Sequence, residues 1–67
     1  MQIVKFRPQI LKTINISEVK VGNNLVNLGE VLEIEELTNA FSVVISRMKE
    51  KQVFKFLKNQ QITINAD

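Results

Sequence analysis

The sequence predicts an all-β protein, a small antiparallel barrel or sandwich of five to six strands. Three observations lead to this prediction. Residues 41–48 contain a run of β-branched and aromatic side chains, which pack well on a pleated surface. Residues 52–57 alternate apolar with polar side chains, and turn-forming residues recur about every 8–12 positions. The 67 residues suffice for a single domain, 1–67.

Residues 30–58 are predicted to form a central meander of three antiparallel strands. The first reversal is centred on Thr38 and Asn39, which places Leu37 opposite Ala40 and Ile34 opposite Val43. The second reversal is predicted as a four-residue loop over 49–52, which places Met48 opposite Val53.

These two registers sort the side chains of the meander onto two faces. The predicted inner face is apolar and contains Leu32, Ile34, Phe41, Val43, Ile45, Phe54 and Phe56. The predicted outer face is mixed and contains Val31, Glu33, Glu35, Ser42, Val44, Ser46, Lys55 and Leu57. A slip of one residue would bring charged side chains into the apolar rows, because every side chain would change face.

A helical alternative exists for part of the meander. The positions Val31, Ile34 and Leu37, and then Phe41, Val44, Ile45 and Met48, also fall near helical spacing. The β-branched run over 43–45, the Thr38–Asn39 pair and the alternation after Gln52 favour strands instead.

The segments before the meander predict further strands. Residues 2–6 alternate and form a short strand that ends at Pro8, which cannot donate a ladder hydrogen bond. Residues 9–16 form a second strand, whose inner face carries Ile10, Ile14 and Ile16. In the connector over 17–22 we expect Ser17 to cap a helical turn, and Val19 to pack under the sheet with Val21 or Leu25.

Two turns and two short strands complete the chain. Gly22-Asn23-Asn24 and Asn27-Leu28-Gly29 predict turns, because glycine and asparagine tolerate a positive φ. Residues 25–28 form at most half a strand. The last strand is predicted over 61–65, with Ile62 and Ile64 facing inward.

The segment 16–25 with its Val21-Gly22-Asn23 turn, and the segment that begins Gly29-Glu30-Val31 and continues to Ile34, resemble small SH3-like β-barrels. The resemblance extends over residues 16–58 and implies a binding or scaffold module. Asn23 stands where that family often has aspartate. The chain contains no Tyr or Trp to line a peptide groove, so recognition of proline-rich peptides is not expected.

The composition disfavours enzymatic and metal chemistry. His and Cys are both absent, which removes the commonest general base, the thiolate nucleophile and the usual zinc ligands. The carboxylates of Glu30, Glu33, Glu35 and Glu36 lack the Asp-rich loop of a calcium site, and are predicted to form a solvated face paired with Lys55 and Arg47. We therefore expect no catalytic residue, metal, cofactor or small-molecule substrate.

The charge and hydropathy patterns restrict the partners. Nine Lys and Arg residues against seven Asp and Glu residues give a net charge of +2, which permits an anionic partner without requiring one. No apolar run approaches the roughly 20 residues of a membrane span. Lys5 and Arg7 are followed by polar interruptions rather than by a signal-peptide core. We expect a cytoplasmic protein that does not bind membranes.

Two non-enzymatic functions fit this pattern. The favoured one is a small accessory or regulatory module that acts by protein–protein contact, self-association included, through an apolar patch at Val31, Val44, Val53 and Leu57. The alternative is nucleic-acid binding by basic residues of the last hairpin and the N-terminal segment: Arg47, Lys49, Lys51, Lys55, Lys58, Lys5 and Arg7. Against the alternative, the core is expected to take all four phenylalanines, which leaves no aromatic platform for bases.

Overall fold

The computed structural model describes residues 10–66, and its fold is all-β, as predicted. Within this range, six antiparallel strands form one sheet curled into a half-barrel. The strands are β1 (Leu11–Asn15), β2 (Asn24–Leu25), β3 (Gly29–Glu36), β4 (Ala40–Arg47), β5 (Glu50–Leu57) and β6 (Gln61–Asn65). The helical alternative for residues 31–48 is wrong, because these residues lie mainly in β3 and β4. The strand and proline predicted over 2–8 lie outside the described residues.

The strand order in the sheet is β1-β6-β2-β3-β4-β5. The last strand, β6, therefore lies between β1 and β2 and joins the N-terminal strand to the meander. Ile14 pairs with Ile62, and Leu25 pairs with Ile64. Among residues 10–66, β1 and β5 are the two edges of the sheet. No helix in this part of the chain is both long and apolar enough to cross a membrane.

The hydrophobic core lies on the inner side of the curled sheet. Its buried members are Ile14, Ile16, Val19, Leu25, Val31, Phe41, Val43, Ile45, Phe56 and Ile64. Leu28, Ile34, Phe54 and Ile62 pack against this set, and the rings of Phe54 and Phe56 stack with centroids 6.5 Å apart. Each fully buried aliphatic side chain contributes about 1.5–3 kcal/mol, so these residues supply the main stabilisation of the sheet.

The β4–β5 hairpin is tighter than predicted. Arg47 pairs with Glu50, so Met48 and Lys49 alone make the reversal, with φ values of 51° and 65°. Positive φ at both central residues is typical of a two-residue type I′ turn. The predicted loop over 49–52 is wrong, and Val53 lies opposite Val44, four residues from its predicted partner. Because four is an even shift, the side chains of both strands keep their predicted faces.

The β3–β4 pairing contains a β-bulge. The predicted pairing of Ile34 with Val43 is confirmed, but the register shifts between Val31 and Glu33, and Val31 lies opposite Ile45. Val31 is 0% exposed, so its predicted place on the outer face is wrong. Leu32, predicted to lie inside, is only half-buried. A bulge adds one residue to one strand, which exchanges the faces of the residues before it.

Backbone contacts around Val31 stabilise this bulge. The Val31 amide donates to the Asn23 carbonyl at 2.8 Å, and the Val31 carbonyl accepts from the Gly22 amide at 2.9 Å. Gly29, with φ of 133°, lies so close to the backbone carbonyl of Ser46 that a Cβ atom would collide with it. Gly22 also has a positive φ, 96°, so both glycines that were predicted to lie in turns adopt positive φ.

The connector after β1 forms one 3-10 turn over Ile16–Glu18. Its cap is Asn15 and not Ser17 as predicted: the Asn15 Oδ1 atom accepts from the Ser17 amide at 2.9 Å. The Glu18 carboxylate accepts from the Asn15 amide at 3.4 Å, which completes a capping box. Val19 is buried, whereas Val21 is 64% exposed, so Leu25 and not Val21 joins it in the core.

The N-terminal end of β1 is more exposed to solvent than the sequence predicts. Ile10, expected on the inner face with Ile14 and Ile16, is 60% exposed. It precedes the first paired residue of β1, although its carbonyl accepts from the Ala66 amide at 2.7 Å. The inner face of this strand therefore starts at Ile14.

Candidate protein-contact face

The candidate site is the surface of β3, β4 and β5 that points away from the core, called here the outer face. Residues directly opposite each other on antiparallel strands share a face, so the pairing defines its members. They are Glu30, Glu33 and Glu35 of β3, Ala40, Ser42, Val44 and Ser46 of β4, and Lys51, Val53, Lys55 and Leu57 of β5.

The charges of the outer face form two columns of opposite sign. Glu30, Glu33 and Glu35 of β3 form an acidic column, and Lys51 and Lys55 of β5 form a basic column. The two columns stand about 10 Å apart, two strand spacings, because β4 lies between them. On the outer face β4 carries only small or medium-sized side chains, so a shallow groove runs along β4 between the two columns.

Apolar side chains occupy the middle and one end of the basic column. Val53 and Leu57 are 62% and 66% exposed. Val44 lies directly opposite Val53 and is half-buried. An open depression of about 290 Å³ adjoins this pair, lined by Glu33, Ile34, Glu35, Ser42, Val44 and Val53. Of the four residues predicted for an apolar patch, Val44, Val53 and Leu57 are therefore on the outer face, and Val31 is in the core.

The predicted pairing of the acidic face with Lys55 and Arg47 does not form. In residues 10–66 the only ion pair joins Lys58 Nζ to Glu36 Oε2 at 2.9 Å. β4 lies between Lys55 and the acidic column, and within residues 10–66 no salt bridge joins Lys55 to that column. Within the described chain, the carboxylates and ammonium groups of the two columns are thus available to another molecule.

The basic residues of the predicted nucleic-acid surface do not form one patch. Arg47, Lys49 and Lys51 lie at the β4–β5 turn, together with Glu50. Lys55 lies further along β5, and Lys58 follows its far end and pairs with Glu36. Lys5 and Arg7 lie outside the described residues.

The carboxylates of β3 do not assemble a cation site. Across residues 10–66, no three or more His, Cys, Asp or Glu side chains are grouped in a way that would hold a metal ion. Glu33 and Glu35 share the outer face as predicted, while Glu36 contacts Lys58.

Sequence reasoning identified the exposed apolar residues but missed the arrangement of charges around them. The available signal was the spacing of like charges: Glu33 and Glu35 are two residues apart, and Lys51 and Lys55 are four apart. In a strand, both spacings put the two side chains on one face.

Comparison with known proteins finds no family model that matches the chain, no similar curated protein and no similar solved structure. The geometry of the outer face therefore carries the proposal of a functional surface.

Proposed function

We propose that this protein is a small non-enzymatic accessory or regulatory module that acts by protein–protein contact through its outer face. The observation that carries the proposal is the exposure of Val53 and Leu57, 62% and 66%, on the same face as Val44. A partner that covers these side chains gains about 25 cal/mol for each Å² of apolar area removed from water.

The composition of the face supports a contact surface rather than an ordinary solvated one. Val44 lies on its middle strand, Val53 and Leu57 alternate with the lysines of β5, and charged side chains flank them, so apolar and charged contacts are combined as they are in protein interfaces. Ser42, Ser46 and Ala40 are small, so a partner backbone or side chain can approach β4 closely. The resemblance of residues 16–58 to small SH3-like modules agrees with a binding role.

Nucleic-acid binding is the second candidate, and the gathering of Arg47, Lys49 and Lys51 at the β4–β5 turn favours it. Two features weaken it. Glu50 lies in the same turn, and the acidic column stands about 10 Å from the basic one, close to the Debye length of ~8 Å at physiological salt. Phe41 and Phe56 are buried, so neither offers the stacking platform typical of single-strand binders.

Affinity purification of the tagged chain from its own cells tests the proposed function. The test variant is V53D/L57D, and the control is V21D, because Val21 is equally exposed but lies in the connector after β1. We expect the wild type and V21D to retain the same protein, which V53D/L57D loses while its circular dichroism stays unchanged. Equal retention by all three, or by none, would overturn the proposal.

Oligonucleotide titration separates the second candidate from the first. Fluorescence anisotropy with single- and double-stranded probes, at low and moderate salt, would show strongly salt-dependent binding if the basic residues contact phosphates. Binding that is lost in K49E/K51E/K55E and kept in V53D/L57D would replace the contact function with a nucleic-acid one. We expect no such binding.

A further inference from the structure

We infer that the occupant of the outer face is a second copy of this chain, docked face to face about a two-fold axis parallel to β4. This inference rests on the proposed function and specifies its partner. It is carried by the charge pattern of the outer face, which is complementary to itself in one orientation.

The direction of the axis follows from the order of the strands. A two-fold axis parallel to β4, between two stacked sheets, places β4 over β4 and β5 of one copy over β3 of the other. The basic column of each copy then faces the acidic column of the other. An axis across the strands would instead place β5 over β5 and oppose like charges. Electrostatic complementarity selects the first arrangement.

The cross-strand rows identify the pairs. Lys55 and Glu35 lie in one row, joined through Ser42, so Lys55 of one copy faces Glu35 of the other. Lys51 and Glu30 lie in a second row, joined through Ser46, and pair in the same way. None of these four residues has an ion pair within residues 10–66, so no existing salt bridge has to break.

The centre of the proposed dimer is the row of Glu33, Val44 and Val53. Val44 of each copy comes close to the axis and meets its equivalent. Val53 of one copy comes over Glu33 of the other, beside the open depression of about 290 Å³, which can receive a valine side chain. The outer face is the convex side of the curled sheet, so the two copies approach most closely along β4, where the small side chains allow about 10 Å, and the long Lys and Glu side chains bridge the wider flanks.

The size of the face predicts a weak dimer. Three strands of eight residues cover about 25 Å by 15 Å, which limits the total buried area to roughly 1,000 Å². Interfaces of that size are typical of reversible contacts, so we expect dissociation in the micromolar to millimolar range.

Edge-to-edge pairing of two β5 strands is a less suitable mode of association. Pairing centred on Val53 would bring Lys51 of one copy opposite Lys55 of the other. Lysines on an edge strand usually prevent such pairing. The face-to-face arrangement uses the same lysines as attractive contacts.

Sedimentation equilibrium of the full chain at low salt, from about 20 μM to 1 mM, tests the inference. We expect the wild type to dimerise, and K55E and E35K each to weaken the dimer by about tenfold, since each places like charges together at two symmetric contacts. The double variant K55E/E35K restores opposite charges and should return to within about threefold of the wild type. It has the same net charge as the wild type.

Lys20→Glu is the matched control, because Lys20 is exposed in the connector and its reversal changes net charge equally. We expect it to leave dissociation within about twofold of the wild type. A tighter dimer in K55E, or failure of the double variant to restore dimerisation, would overturn the inference.

A strictly monomeric wild type at 1 mM would also overturn it, but would leave the proposed function open to its own test. If V53D/L57D still loses a different protein in the affinity purification, the outer face is a contact surface for that protein. If nothing is lost there either, both proposals fail.

Discussion

Lys55 and Glu35 lie in one cross-strand row of the outer face with Ser42 between them, and they form no ion pair within residues 10–66. The intervening strand β4 sets the backbones of the two residues about 10 Å apart, and in the described part of the chain no salt bridge joins their side chains across it. A monomer therefore presents separate columns of positive and negative charge. This separation of charge, more than the exposed apolar residues, restricts how a partner can be oriented on the outer face.

Replacement of Gly29 is expected to destabilise the fold more than replacement of Gly22. Both have positive φ, 133° and 96°, but a Cβ at Gly29 would collide with the Ser46 carbonyl, whereas nothing lies within 4 Å of one at Gly22. We predict a loss of about 2–4 kcal/mol for G29A and about 1–2 kcal/mol for G22A. Urea unfolding at low micromolar concentration measures both, and equal losses would contradict the close approach of β3 to β4.

The β4–β5 turn can be improved by residues that prefer positive φ. Met48 and Lys49 hold φ values of 51° and 65° without being asparagine or glycine. We predict that M48N/K49G stabilises the protein by about 1 kcal/mol, because Asn-Gly is favoured in type I′ turns.

The control for this turn is T38N/N39G at the β3–β4 connection. Neither Thr38 nor Asn39 is among the described residues with positive φ, so the same dipeptide should bring no gain there. Thermal unfolding measures both variants. If the reversal were instead a longer loop over 49–52, M48N/K49G would bring no gain in stability.

The β-bulge buries Val31 more deeply than its neighbour Leu32. Val31 is 0% exposed, while Leu32 is half-buried. We predict that V31A costs about 2–3 kcal/mol, since it leaves a cavity in the core, and that L32A costs less than about 1 kcal/mol. The reverse order in chemical denaturation would indicate a regular strand without the bulge.

The cap of the 3-10 turn is expected to depend on Asn15. Its Oδ1 atom accepts from both the amide and the hydroxyl of Ser17 at 2.9 Å. We predict that N15A costs about 1 kcal/mol, as for other caps. S17A keeps the amide bond to Asn15 and should cost less. A larger loss in S17A would assign the cap to Ser17.

Much of the fold could be predicted from the alternation of apolar and polar side chains along the strands. Large apolar side chains recur at every second position as Phe41, Val43 and Ile45 and as Ile62 and Ile64, and this spacing predicted the faces of Val43, Ile45 and Ile64 without knowledge of the turns. The predicted faces of the β4 and β5 side chains were also correct although the predicted β4–β5 register was wrong, because the error of four residues was even.

The remaining errors arise where local sequence carries no distinguishing signal. Val31 and Leu32 are both apolar, so the pattern cannot indicate which of them a bulge turns inward. The type I′ turn lacks the Asn-Gly pair that usually marks it, and the charged run over 49–51 resembled a loop. The separation of charge on the outer face depends on the pairing of three strands, which sequence spacing alone does not give.

Nuclear magnetic resonance at increasing protein concentration tests most directly whether the outer face is a contact surface between copies of the chain. Between about 20 μM and 1 mM, at low salt, we expect concentration-dependent shifts of the amide signals of Ser42, Val44, Val53 and Lys55. The signals of Lys12 and Thr63, on β1 and β6, should stay constant. Shifts confined to β1 and β6, or no shifts at any concentration, would contradict contact through the outer face.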